Sequence, residues 1–232
     1  MMHRRELITT ETFHLVGVLS LSLATLALLL GLAAFAELWF SGDKGWGKAF
    51  AGIVLGAFCL SPAIFAATEW QRYPNIYDVS KSPELSLQLQ EASASSKTDL
   101  EAEQAATRIA FPNVLTRDYQ IRAQPLYELV ENLVAQRQWK AIEKTSFAGG
   151  IGNVAEIRVN ATTLLGWRDQ VVIRVTSQDG QGAKLDMRSA ARIPGHDFGR
   201  NGKRIEEFLT ALDAAVTQYA RDNLTIEPSS GN

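Results

Sequence analysis

The chain has 232 residues, a formal net charge of −2 and a pI near 6.0. That balance excludes the basic excess of an ordinary nucleic-acid binder. One cysteine and three histidines exclude a disulfide framework and leave too few soft ligands for a zinc or transition-metal site, so no metal and no cofactor is expected.

Two uncharged apolar runs, Leu15–Ala36 and Ala49–Ala67, follow one another closely. A hydrocarbon core roughly 30 Å thick needs about 20 apolar residues in a helix. Backbone amides at that depth must pair within their own segment. Residues 13–70 are therefore expected to form a transmembrane helical hairpin behind a tail of residues 1–12. Arg4 and Arg5 resemble the start of a signal peptide, but the run behind them exceeds the usual apolar stretch of roughly 7–15 residues, and a second run follows. Trp39, Trp46, Trp70 and Tyr73 flank the runs, where amphipathic rings favour the headgroup region. Arg4, Arg5, Arg72 and Lys81 against Lys44 and Lys48 put both ends in the cytoplasm by a small margin.

Residues 71–115 read as a linker, because Ser80–Thr107 is rich in Ser, Ala, Glu and Gln and poor in large apolar residues. Within it Asp99–Arg108 has the composition of a short polar helix, and residues 73–80, with Ile76 and Tyr77, are suited to docking back onto the folded domain. From residue 116 to 221 the pattern becomes regular. Tyr119–Arg122 alternates as a first strand, and Pro125 is expected at the first position of a helix. Leu126, Leu129, Val130, Leu133 and Val134 give that helix one apolar stripe. Trp139–Lys144, Val154–Thr163, Gln170–Thr176 and Lys184–Arg192 read as strands. They are separated by Gly149-Gly-Ile-Gly152, by Leu164–Asp169 and by the turn Asp179-Gly-Gln-Gly182. Asn201–Arg221 reads as a closing helix with Ile205, Phe208, Leu209, Leu212, Val216 and Tyr219 on one face, and residues 222–232 as a disordered tail. The order β-α-β-β-β-β-α with short later links predicts an α+β fold. Two transmembrane helices would precede a two-layer sandwich, a mostly antiparallel sheet with two helices on one face.

The period of two assigns the strand faces. Ala155, Ile157, Val159 and Ala161, then Val171, Ile173 and Val175, then Leu185, Met187 and Ser189 suit the helices. The opposite face collects Glu156, Arg158, Asn160 and Thr162, then Gln170, Val172, Arg174 and Thr176, then Lys184, Asp186 and Arg188, densely charged and open to water with Val172 its one apolar member.

Three motifs bear on function. Gly149-Gly-Ile-Gly152 resembles part of a phosphate loop but is followed by a strand rather than a helix N-terminus, which makes it a hairpin loop. The loop Leu164-Leu-Gly-Trp167 has an apolar tip suited to packing over the sheet edge or to touching lipid or a partner. Asp186-Met-Arg-Ser-Ala-Ala-Arg192, with the glycine-rich stretch that follows, delivers arginines to the entry of the last helix. Two explanations fit that joint. One is a salt-bridged turn in which Asp197 or Asn201 caps the helix. The other is an anion pocket of Arg188, Arg192, Arg204 and exposed amides, with Arg174, Asp186, Asp197 and Asn201 around it. His196 beside Asp197 is an adjacent pair in a loop, and adjacency alone does not aim a carboxylate at an imidazole.

Pro74-Asn-Ile-Tyr-Asp-Val-Ser80, Trp167–Val175 and the run from Arg188 through Asp197-Phe-Gly-Arg-Asn201 to Arg204-Ile205 resemble domain-of-unknown-function family 1499. The likeness spans about Pro74 to Ala214, with the linker diverging. Ala191 stands where a serine is expected and His196 where a small polar residue is usual. The resemblance implies a bacterial, membrane-anchored cell-envelope protein with a periplasmic domain, against the charge count, and implies no reaction.

The function expected is a non-enzymatic binding or interaction module in the inner membrane. Its partners would be the lipid bilayer and an envelope protein, polysaccharide or anionic lipid, with no nucleic acid. The alternatives are a hydrolase using Asp169, Asp186 or Asp197 with arginines stabilising charge, and a structural subunit of a membrane complex.

Overall fold

The computed structural model describes residues 10–42, 44–80, 97–147, 153–163, 166–178, 182–192 and 196–225. Expectations for residues 1–9, 81–96, 149–152, 164–165, 179–181 and 226–232 lie outside the described residues. The chain divides into two compact units, Met1–Arg72 and Tyr73–Asn232.

The first unit holds α1 (Thr10–Ser41) and α2 (Trp46–Arg72), both long and apolar enough to cross a membrane. The two helices pack closely where Gly56 meets Leu28, since a Cβ on that glycine would lie 3.0 Å from the leucine Cβ. Small residues at such contacts let apolar helices approach without a hydrophobic driving force. Pro62 stands inside α2 and cannot donate to the carbonyl of Phe58 one turn earlier. The Ser61 hydroxyl donates to that same oxygen at 2.7 Å, so the acceptor freed by the proline is filled from within the helix.

The second unit contains β1 (Asp78–Ser80), α3 (Lys97–Ala110), β2 (Arg117–Tyr119), α4 (Ala123–Gln136), β3 (Lys140–Thr145), β4 (Val154–Thr162), β5 (Arg168–Ser177), β6 (Ala183–Ala191) and α5 (Arg200–Thr225). The sheet runs β1-β6-β5-β4-β3, and β2 pairs with β6 as well. Every pairing is antiparallel. The fold is α+β, as the pattern of short links requires. β1 and β2 share one edge of β6: Ser80 lies opposite Arg188 and Arg117 opposite Leu185. At the other edge β3 carries a register shift between Ala141 and Glu143, and all six of its residues are exposed. A bulge with lysines on an edge strand discourages pairing with a further strand.

The core lies between one sheet face and the two helices α4 and α5. Ile157, Val159, Val171, Ile173 and Leu185 meet Leu126 and Val130 of α4 and Ile205, Phe208, Leu209 and Leu212 of α5, all fully buried. Burial of each such side chain is worth about 1.5–3 kcal/mol. Tyr119 closes one end of the core, its hydroxyl donating to Asp213 at 2.6 Å. Burial, and then that bond, push its pKa well up.

Several expectations need correction. Pro125 is the third residue of α4, because Arg122 is the N-cap and the first helical amide bond is Leu126 to Arg122. The first turn of a helix has no acceptor for its amides, so proline is tolerated throughout it. The first strand of the regular region ends at Tyr119 instead of beginning there, since only Arg117–Tyr119 finds partners on β6. Residues 97–115 are more than linker: α3 runs to Ala110, and Phe111 and Val114 are each 3% exposed in the core. The closing helix continues one turn past Arg221, with Gln218 donating to Asp222 and Asn223 to the Tyr219 carbonyl.

Candidate functional site

The alternation of β5 and β6 brings Asp169 and Ser189 to the helix side of the sheet, where Asp169 pairs in register with Ala191 and Ser189 with Val171. Both are buried, at 1% and 0% exposure. Above them begins α5. Its first residues divide by helical angle into two sets, and each set does a different job.

Arg200, Asn201 and Arg204 turn toward the sheet. Arg204 donates to Asp169 at 2.6 Å, to Ser189 Oγ at 2.8 Å and to Asn201 Oδ1 at 2.6 Å. Arg200 donates to both oxygens of Asp169, at 2.9 and 3.2 Å. Ser189 Oγ donates to Asn201 Oδ1 at 2.7 Å, and Asn201 Nδ2 donates to the carbonyl of Tyr77 at 3.1 Å. One buried carboxylate thus accepts from two guanidinium groups, and the amide of Asn201 joins the strands to the segment leading into β1. Asp197 completes the joint. Its carboxylate accepts from the amides of Gly199 at 2.8 Å and Asn201 at 2.9 Å, which caps α5.

Gly199 and Gly202 turn the other way and seat aromatic rings. A Cβ on Gly199 would lie 2.6 Å from the ring of Tyr73, and one on Gly202 2.5 Å from the ring of Phe111. These two rings stack with centroids 5.4 Å apart and planes 4° apart. Gly199 also has a φ of +72, which favours glycine. Lys203 places its ammonium 4.5 Å from the Tyr73 ring, and His196 bonds through Nε2 to the Tyr73 carbonyl at 2.9 Å. The amide of Phe198 donates to His196 Nδ1, which therefore lacks a proton, and Nε2 is the donor.

The opposite sheet face is a set of ion pairs. Glu156 accepts from Arg158 at 2.7 Å and from Arg174 at 3.0 Å, its neighbour in register on β5. Arg188 grips Asp78 with two nitrogens, Nε at 2.9 Å. Thr116 donates to Asp186. Glu156, Arg158, Asn160, Gln170, Arg174, Lys184 and Arg188 are half-buried, so this face is less open to water than the alternation alone implies.

The structure therefore splits the residues singled out in the sequence. Asp197, Asn201 and Arg204 meet in the joint. Arg174, Asp186 and Arg188 lie on the other face, and Arg192 is exposed just beyond β6. The three-arginine pocket does not form, because Arg188 and Ser189 are neighbours on a strand and point to opposite faces, and Arg204 sits with Ser189. Nor are the capping amides or the joint's arginines turned to an outside anion: Asp197 occupies the former and Asp169 the latter. Among the described residues no group of three or more His, Cys, Asp or Glu is arranged to hold a metal ion. The residues that the sequence left out of the joint are Arg200, Ser189, Tyr77, Tyr73 and Phe111. The spacing Gly199-Arg-Asn-Gly202 is their signal, with two glycines flanking two hydrogen-bonding residues over one helical turn.

No curated protein matches the chain. The model of a family described as "Protein of unknown function (DUF1499)" matches residues 78–212, from β1 into α5. That match takes in the sheet and the joint together, and the chain belongs to the DUF1499 family.

Proposed function

We propose that this chain is a membrane-anchored interaction module of a bacterial cell envelope, without a reaction of its own. Its two spans would sit in the inner membrane, and its α+β head would face the periplasm and bind another envelope protein through the polar sheet face. The observation that carries this reading is how the ionic groups are spent. Asp169 is saturated by Arg200 and Arg204, Asp197 caps α5 and Asp186 accepts from Thr116. Each carboxylate weighed as an acid or base has a structural duty that proton transfer would break.

The polar face supports a protein partner over a polyanion. By register it carries Lys140, Arg158, Arg168, Arg174, Lys184 and Arg188 together with Asp78, Asp118, Glu143, Glu156 and Asp186. A surface on which carboxylates nearly match cations attracts a polyanion weakly at long range, but it presents a fixed charge pattern for a complementary partner.

A photo-crosslinking side chain at Gln170, placed in the full chain in native membranes, tests this. One discrete adduct is expected from Gln170 and none from Glu128, which is exposed on α4. The same adducts from both positions, or none from Gln170, refute the reading. A reporter fused at the C-terminus and active only outside the cytoplasm tests the sidedness, and release of the chain by alkaline carbonate refutes the anchoring.

A further inference from the structure

Around the middle of the polar face the charges pair with one another. Glu156 holds Arg158 and Arg174, Arg158 also reaches Glu143 at 3.6 Å, and Asp78 holds Arg188. The row of residues beside these pairs is built differently. Register places Lys140 of β3 next to Asn160 of β4, Asn160 next to Gln170 of β5, and Gln170 next to Ala190 of β6. Residues paired in register share a face, so all four look the same way. Lys140 is exposed, Asn160 and Gln170 are half-buried, and Ala190 is fully buried. Among the described residues, neither the two side-chain amides nor the Lys140 ammonium enters a hydrogen bond or an ion pair.

A carboxamide carries one acceptor oxygen and two donor hydrogens. Water satisfies them on the free protein, so the fold does not depend on these groups, and a partner that displaces the water must match them. The sheet holds the two amides with their Cβ atoms about 4.5–5.5 Å apart. From Lys140 to Gln170 is two interstrand spacings, about 10 Å, which an extended peptide covers in about three residues. The charge of the row selects the peptide. Uncharged polar residues match the amides, since an ion set over them is desolvated without a counter-charge, and a carboxylate matches Lys140. Sugar hydroxyls match amides too, but the C–H faces of a sugar ring are drawn to aromatic faces, and the strand residues on this face include no aromatic ring.

We propose that Lys140, Asn160 and Gln170 are the recognition row of the partner-binding face. The row takes an extended segment of the partner, with two uncharged hydrogen-bonding residues over the amides and an acidic one at Lys140. This rests on the protein-binding reading above and names the chemistry of its partner.

The test keeps both amides by moving the photo-crosslinking side chain to Thr162, which is exposed on the same face two residues beyond Asn160. The full chain is expressed in native membranes over a range of levels, and the level giving half-maximal adduct is the readout. That level should rise about fivefold in Asn160→Ala and again in Gln170→Ala, one net hydrogen bond each. Lys140→Gln should raise it about twofold, as for an exposed ion pair. Melting of the purified variants should match the parent's, because these side chains bond to nothing inside the head. An unmoved half-maximal level in both amide variants overturns the proposal. So does a loss matched by a lower melting temperature, which assigns the amides to the fold, or an adduct removed by glycosidase, which assigns the row to a sugar. Failure of the protein-binding reading looks different: the parent then gives no adduct from Thr162 or from Gln170, and both fall together.

Discussion

Adding one methyl group at Gly202 probes the joint at its tightest point. An ideal Cβ there lies 2.5 Å from Cδ1, Cδ2 and Cε1 of Phe111. Carbon pairs rest at about 3.5–4.0 Å, so the ring must retreat by roughly 1 Å or leave. Phe111 is 3% exposed and stacked on Tyr73, which itself lies on Gly199, so retreat pushes a second ring. Overpacking of this kind costs about 1–3 kcal/mol, and full ejection of the phenylalanine about 3–5 kcal/mol. Against this, alanine gains about 1 kcal/mol over glycine in a helix. The clash wins, and Gly202→Ala should lose about 2 kcal/mol. The assay is urea denaturation of the full chain in mild detergent, followed by circular dichroism. Combining Gly202→Ala with Phe111→Ala should cost no more than Phe111→Ala alone, because the methyl enters the vacated space. Equal or greater stability of Gly202→Ala, or strict additivity in the double variant, would refute the seating of Phe111 on this glycine.

Asp169→Asn should destabilise the head by about 3–5 kcal/mol, because Arg204 and Arg200 lose the charge they share inside the protein; a thermal melt close to the parent's would contradict the buried triad. The phenol of Tyr119 has its pKa raised above the ordinary 10.0, so the folded state holds a proton that the unfolded state releases. Its stabilisation is complete below pH 10 and falls by about 1.4 kcal/mol per pH unit above it. Tyr119→Phe should flatten that alkaline limb in denaturant titrations, and an unchanged slope would count against it. Ser61→Ala should cost α2 about 1 kcal/mol by leaving the Phe58 carbonyl with no donor beside Pro62. Faster amide exchange around residue 62 in nanodiscs is the expected signature, and an unaltered pattern would argue that the hydroxyl is dispensable.

The regular elements were legible because each obeys one period. The stripe from Leu126 to Val134 and the alternation of β4, β5 and β6 put the correct residues in the core. The same parity separated Arg188 from Ser189, and with it the two chemical faces. What stayed hidden was the direction in which short-range polar groups spend their bonds. Nothing in the spacing of Asp169 and Arg204, 35 residues apart, says that they meet, since their encounter depends on where α5 lands on the sheet. The glycine-rich entry to α5 fits either a capped turn or exposed amides for an anion; in the structure Asp197 supplies the cap, and Gly199 and Gly202 are bare surface for Tyr73 and Phe111. Phe111 lies in a stretch whose composition reads as linker, where one ring among many polar residues raises no local pattern, whereas Tyr73 opens the docking segment 73–80 and packs on Gly199. The edge strands β1 and β2 are three residues each, too short for alternation to register.

The shared use of β6 by two short strands has a consequence for how variable this protein can be. The chain departs at Ser80 and returns at Arg117, opposite Arg188 and Leu185 on the same strand. Both stubs are thus fixed within a few residues of each other, whatever lies between them. Closing a longer excursion costs only about 0.6 kcal/mol for each doubling of its length. That makes the stretch between Ser80 and α3 the natural place to add sequence or graft a foreign domain, while α3, Phe111 and Val114 stay with the core and the sheet keeps its register.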